Sequence, residues 1–404
     1  MSSDELWRVV DLFSGGGGMS YGFQAHPDFE VVAAADAQLG KPSSKRGSLG
    51  CNSTYEINVG VRPVDLDLGT VDPDDLVQVL GLNGPIDVLA ACPPCTGFSR
   101  TNAKNHLVDD VRNSLVTRVA LYARALQPRV IVMENARELL TGNFRHHFDV
   151  LAHDLESQGY EVHGATHVLN RFGLPQVRER ALVVAVQRGH QLVTLDDLWS
   201  GFEVIPEAAT VRRAIEHLPA ISAGQTLESD PDHTAPRFRT AETLARIAAI
   251  PHDGGSWRDL LADRHLRKHL TPAMRELVKK KKLGSHPDVY GRARWDSAIA
   301  TIKRECGHVG NGRYAHPEQD RLLSLREMAI LNGFPSDYRF GGRSLANRYR
   351  HVGDAVPPLV SYQIAGLASW ILSGVRPAMS EVVLPNSHLN ASDIVDRNAS
   401  RVAA

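Results

Sequence analysis

The chain opens on a stretch that admits few folds, the largely apolar run Trp7-Arg8-Val9-Val10-Asp11-Leu12-Phe13 followed at once by Ser14-Gly15-Gly16-Gly17-Gly18. A buried strand that ends in glycines and turns into a helix near Met19 lets backbone N–H groups approach a ligand closely at the helix N-terminus. The spacing is not Gly-x-Gly-x-x-Gly, because Ser20 and Tyr21 stand where the third glycine would fall. A second strand, Glu30-Val31-Val32-Ala33-Ala34-Ala35, ends in Asp36, about twenty residues beyond the loop, where an acid can take the hydroxyls of a ribose. Together these features indicate a nucleoside-containing cofactor. Val64-Asp65-Leu66-Asp67-Leu68 reads as a short third strand, and either of its acids can reach an adenine amino group or simply solvate a strand end.

A second constraint is Ala91-Cys92-Pro93-Pro94-Cys95-Thr96-Gly97-Phe98-Ser99-Arg100, which follows the strand-like run Ile86-Asp87-Val88-Leu89-Ala90. A cysteine just past a strand, on a proline-stiffened turn, is placed where a nucleophile belongs in an α/β enzyme. Cys95 is that candidate; a buried thiol or a structural pair with Cys92 is the competing reading. Four cysteines in 404 residues make no disulfide framework, and no second paired spacing supports a zinc site, so no metal is expected. The polar segment from Gly97 to Arg112 can close over a substrate.

Helical pattern over Ser114 to Ala125 ends at Pro128, before the strand Val130-Ile131-Val132-Met133. Glu134-Asn135 emerges from that strand, so its carboxylate is expected to be partly desolvated and able to donate a proton, with an ion pair as the alternative. A helix over Phe148 to Leu155, a strand over Tyr160 to Val168 and a strand over Ala181 to Val186 follow. Arg178 and Arg180 alternate ahead of the last strand and so share a side, with Glu179 opposite. Helical periodicity returns over Gln319 to Ile330 and Leu359 to Leu372, and beyond Arg376 the chain reads as a loosely held polar tail.

In order, Asp11 to Gly18, Pro94-Cys95 with Phe98-Ser99, Glu134-Asn135, Gln176-x-Arg178-x-Arg180 and Gly353-Asp354-Ala355-Val356-Pro357-Pro358 resemble the motif series of the cytosine-C5 DNA methyltransferases. Thr210 to Ile215 with Leu218-Pro219, and Arg326-Glu327 with Gly333-Phe334-Pro335, look like lesser members of that series. The resemblance implies a Rossmann-like α/β methyltransferase fold with a smaller inserted target recognition domain. It places the catalytic and cofactor domain at 1–220, target recognition at 221–311, a return to the catalytic domain at 312–375 and the tail at 376–404. It implies a methyl transfer from S-adenosylmethionine, leaving S-adenosylhomocysteine, to C5 of a flipped-out cytosine in duplex DNA. Cys95 would bond to C6, Glu134 would meet N3, Arg180 would hold O2, and Arg178 would support the loop or a phosphate. Phe13, Gly15, Gly16, Gly18, Asp36, Asp67, Pro94, Leu115, Asp354 and Ala355 would line the donor pocket. Thr96, Ala136 and Asp354 depart from the family's usual glutamine, valine and asparagine; Asp354 puts a carboxylate by the donor's own unless an arginine or the sulfonium offsets it.

Between 221 and 311 the chain carries Arg264, Arg267-Lys268, Arg275, Lys279 to Lys282, Arg292, Arg294 and Lys303-Arg304. This local excess suits a DNA reader, with Arg292 and Arg294 as candidate base contacts, although the net charge of −1 excludes a uniformly basic binder. An RNA cytosine methyltransferase, a catalytically silent DNA-binding regulator and a nicotinamide dehydrogenase are the rival readings. An acidic N-terminus and 43% apolar composition without a run of some 18 apolar residues lead to an expected cytoplasmic location; the resemblance implies a nucleoid-associated monomer, in a restriction-modification system with a cognate endonuclease or in genome marking.

Overall fold

A computed structural model of the chain describes residues 6–39, 49–94, 109, 111–282 and 288–397. Statements below concern those residues; Cys95, with the rest of 95–108, and the polar insertion at 40–48 lie outside them.

Eight strands carry the site: β1 Trp7–Leu12, β2 Phe29–Asp36, β3 Val64–Asp65, β4 Val88–Ala91, β5 Val130–Ala136, β6 Tyr160–Val168, β7 Gln176–Val177 and β8 Glu179–Gln187. Seven of them form one sheet in the order β3-β2-β1-β4-β5-β8-β6. The first five are parallel, whereas β8 enters antiparallel between β5 and β6. The sequence explains the burial: β4 and β5 are apolar on both faces, as strands covered by helices on both sides must be. Val9, Val31, Val88, Val130, Leu182 and Val184 face a core shared with the helices Gly18–Gln24 and Pro358–Ser373. Their neighbours Val10, Ala33, Leu89, Ile131 and Val183 face the opposite core, with the helices Leu115–Leu126 and His146–Ser157. The expected helices and strands fall within a few residues of the observed bounds, except that the third strand shrinks to Val64–Asp65 and the helix expected from Gln319 starts only at Leu325.

A second apolar core runs from Val211 and Ile215 through Ile247, Trp257, Met274 and Ile302 to Tyr314, Met328, Tyr349, Val352 and Ala355. It therefore crosses the boundaries expected at 221 and 311. The stretch Leu345–Ser373 is long and apolar enough to cross a membrane by length and composition, but 89% of its most apolar window is buried inside the protein. It is two helices, Leu345–Asp354 and Pro358–Ser373, and the second is a core helix of the first domain.

The expected loose tail is a correction. Val382, Leu384 and Leu389 are buried in the first core, and Ile394–Asp396 pairs antiparallel with Phe202–Val204. Polar composition misled because the apolar residues are few and spaced, yet each finds a pocket; Leu389, for one, seats against Gly173. The residues from Arg376 to Arg397 therefore form a strap across the first domain. Leu389→Ala should lower unfolding free energy by about 2–4 kcal/mol in urea titrations; a change near zero would restore the loose tail.

Candidate active site

The strand order reverses at β1, with β2 on one side and β4 on the other, so a crevice opens beyond their carboxyl ends. There Phe13 (φ 63°) and Gly15 (φ 53°) take left-handed backbone, and the turn delivers Gly18 to the start of the helix Gly18–Gln24. A side chain at Gly18 would stand 2.2 Å from the Val356 carbonyl oxygen, so the glycine is what lets the Ala355–Val356 segment lie on the turn. Two stretches more than 330 residues apart are thereby brought together. On the other side of the turn, a Cβ at Gly15 would meet nothing within 4 Å.

Asp36 at the end of β2 fastens the turn. Its Oδ2 accepts from the Gly15 N–H at 2.9 Å and its Oδ1 from the Gln38 N–H at 2.6 Å, with Cys51 Sγ at 3.6 Å. Burial pushes its carboxyl upward, and the two amide hydrogen bonds oppose that. Behind it, Tyr55 donates to Ser20 Oγ, and Ser20 donates to Asp11 Oδ2 at 2.6 Å. Full burial raises Asp11 to about 7 against the hydrogen bond from Ser20. Asp11 Oδ1 and Ser14 Oγ are buried with no partner among the described residues. Orphaned polar atoms beside an open turn fit a polar nucleoside group. Further along the crevice, Asp67 Oδ1 accepts from the Gly69 N–H at 2.8 Å, and a Cβ at Gly69 would touch Leu115, so Asp67 and Leu115 share one corner. Asp67 is exposed and Leu115 half-buried.

The second half of the site is built on β5 and β8. Their antiparallel register sets Glu134 opposite Leu182 and Ala136 opposite Arg180. Glu134 is 7% exposed, and Arg180 Nε meets its Oε1 at 2.6 Å. Arg178 approaches the same oxygen from the same side, at 4.0 Å, while Glu179 turns away to pair with Arg137. The expected desolvation of Glu134 and the alternative ion pair are thus both present. Asn135 donates from Nδ2 to the Pro93 carbonyl at 3.0 Å, which ties the end of β5 to the chain two residues before Cys95. Pro94 is exposed. Of the two cysteines of that stretch only Cys92 is described, and it is half-buried.

Two expectations change, and a third is met. Arg178 is 2% exposed and donates to the carbonyls of Ile302 and Ala355, at 3.2 and 3.1 Å, so it is fixed against the second core and cannot meet a phosphate. Arg292 is fully buried and gives its donors to the carbonyls of Ile247, Ile250, His316 and Gln319 and to Asp320, so no donor remains for a base. Arg294 stays exposed, as do Lys279 to Lys282. Asp354 is paired with Arg304 at 3.0 Å, which supplies the offsetting arginine that its carboxylate needs.

Several contacts that shape the site could not be read from the sequence, because the partners are remote along the chain. Gln176 donates to Asn332 Oδ1 at 2.8 Å and accepts from the Ile302 N–H at 2.8 Å. Tyr338 donates to the Gly16 carbonyl, and Thr54 meets His351 Nδ1 at 2.9 Å. Burial lowers His351 to about 4, so the ring is neutral at ordinary pH.

The model of the C-5 cytosine-specific DNA methylases matches residues 7–369. A type II methylase of Herpetosiphon aurantiacus, M.HgiDII, is 32% identical over 382 residues, 91% of this chain and 96% of that protein. DNA (cytosine-5)-methyltransferase 1 of Mus musculus is 27% identical over 93% of this chain and 29% of its own length. Among solved structures, S. pombe Dnmt2 methyltransferase superposes with a TM-score of 0.54 at 17% identity, covering 90% of this chain and 99% of that one.

The buried Asp11 carboxyl makes stability depend on pH. Its folded-state pKa stands above the unfolded value of 3.8, so the stability it contributes is complete below that value and is lost as pH rises through about 7. Between about pH 5 and about pH 8, wild type should therefore lose more unfolding free energy than Asp11→Asn, read by urea titration. Equal losses would show that Asp11 does not hold a proton in the native state.

Proposed function

The chain belongs to the C-5 cytosine-specific DNA methylase family and is a DNA (cytosine-5)-methyltransferase, and from that premise we propose that it acts through a covalent bond between Cys95 and C6 of a cytosine flipped out of duplex DNA. The observation that carries this reading is Glu134, a carboxylate at 7% exposure held by Arg180 beside the tether to Pro93.

Cytosine C5 is a weak nucleophile, and a thiolate added at C6 pushes electron density onto it. As the adduct forms, Glu134 donates a proton to N3, which draws charge from the ring, and takes it back when the adduct breaks down; Arg180 keeps Glu134 in place, and its donors not given to Glu134 or to the Glu179 carbonyl would hold the base O2. C5 then takes the methyl group, loses its proton to water, and the C6–sulfur bond breaks to release Cys95. Stacked in a duplex, the base cannot reach these groups, so it must be extruded, at roughly a few kcal/mol.

S-adenosylmethionine supplies an electrophilic methyl group when bound. Asp36 would take its ribose hydroxyls through lone pairs not used by Gly15 and Gln38, Phe13 and Leu115 would flank the adenine near Asp67, and Gly15, Gly16, Gly18, Pro94 and Ala355 would form the walls. Asp354, neutralised by Arg304, would border the same pocket. The second core presents the exposed Lys279 to Lys282 and Arg294 to DNA, lysines as phosphate contacts and the arginine as a base contact. M.HgiDII is a type II methylase, and on that likeness we place this enzyme in a bacterial restriction-modification system with a cognate endonuclease, as a monomer in the cytoplasm at the nucleoid.

Tritium transfer to duplex DNA tests the assignment. Cys95→Ser should abolish transfer and Glu134→Gln should reduce it by at least about a hundredfold, with S-adenosylhomocysteine binding retained in both, while Cys92→Ser stays active. Equal loss in Cys92→Ser and Cys95→Ser would favour the structural cysteine pair instead.

A further inference from the structure

Among the described residues, one group of side chains that the methyl transfer does not use has the composition and spacing of a ligand set. Asp109, His146 and His147 bring one carboxylate oxygen and two imidazole nitrogens within 4.8 Å of one another. His147 Nε2 stands 3.0 Å from each oxygen of Asp109, and His146 Nε2 stands 3.4 Å from Oδ2. The two rings lie 4.1 Å apart at 36°, so consecutive residues of one helix turn the same ring nitrogen toward one acid. The acid is itself aimed: Asn113, fully buried, donates from Nδ2 to Asp109 Oδ1 at 2.7 Å. The neighbouring cation, Arg145, is engaged with Asp149 at 3.2 Å.

From this geometry we propose that Asp109, His146 and His147 form a binding site for one divalent transition-metal ion of the zinc class. Bonds of about 2.0–2.2 Å to imidazole nitrogen and carboxylate oxygen set neighbouring donor atoms roughly 3.3 Å apart in a tetrahedron. The separations of 3.0 and 3.4 Å already match that spacing, and rotation of exposed side chains closes the longest one. Two imidazoles and a carboxylate favour Zn²⁺, Co²⁺ or Ni²⁺ over the oxygen-seeking Mg²⁺ and Ca²⁺. His146 at 57% and Asp109 at 41% side-chain exposure leave a path for the ion and a water position on it. Asn113 takes the part of the outer partner that orients a ligating acid. A bound ion would tie residue 109, six positions ahead of the helix Leu115–Leu126, to the start of the helix His146–Ser157. The site shares no residue with the Glu134 chemistry and stands or falls independently of it.

The test is a Co²⁺ titration of the untagged full-length chain, followed by visible absorption, with Zn²⁺ and Mg²⁺ as competitors. Wild type should take up one Co²⁺ with visible bands, lose them to Zn²⁺ and keep them in excess Mg²⁺. His147→Ala and Asp109→Asn should each weaken binding at least about tenfold, whereas His153→Ala, on the same helix but outside the group, should leave it unchanged. Thermal melts of each variant without metal confirm that the fold survives, and having two independent ligand variants covers the failure of one. Absence of visible bands in wild type, or affinity unchanged in both ligand variants, would overturn the proposal.

Discussion

A carboxylate inside a protein must be neutralised or compensated, and the placement of Glu134 is the constraint on which the site depends. β5 is buried along its whole length, so the acid at its carboxyl end has little water to solvate it. Arg180 at 2.6 Å provides the compensation, and it can do so only because β8 runs antiparallel beside β5 in a register that ends Ala136 against Arg180. Removing one member of such a pair leaves the other charged and unpaired in the interior, which is far worse than removing both. The reversed strand in an otherwise parallel set is therefore a chemical requirement of the site as well as a feature of the topology.

The residues just ahead of β8 tie it to the second core. Arg178, two residues ahead of Arg180, holds the carbonyls of Ile302 and Ala355, so the strand that neutralises the acid also anchors the second core and the segment that covers the glycine turn. Gln176 adds a second link through Asn332 and Ile302. Acid, donor crevice and second domain are thus held by residues 176, 178 and 180 of one short extended stretch, whose alternation sends each side chain inward.

Much of this was legible in the residues. Continuous apolar runs such as Val130 to Met133 and Ala181 to Val186 located the strands, and the glycines after Phe13 and the acid at 36 located the crevice, because burial and turn chemistry are local properties. What was not legible depends on partners far away in the chain. Arg292 looks like any other arginine of a basic region, and only the converging carbonyls of Ile247, Ile250, His316 and Gln319 make it structural. Arg304 carried no mark of its pairing with Asp354, although the unusual acid at 354 announced that a cation was needed. The strap from Arg376 to Arg397 was misread because its composition is polar while its few apolar side chains are deeply seated.

The central claim, that Cys95 attacks C6 of a cytosine that Glu134 and Arg180 hold, is tested most directly with a duplex carrying 5-fluorocytosine at the methylated position. Fluorine cannot leave C5 as a proton does, so an adduct that has taken the methyl group cannot break down. In the presence of S-adenosylmethionine the enzyme should form a complex with this duplex that survives denaturing electrophoresis, and peptide mapping should place the bond on Cys95. Failure to form that complex in a preparation active on ordinary cytosine, or its undiminished formation by Cys95→Ser, would contradict the account.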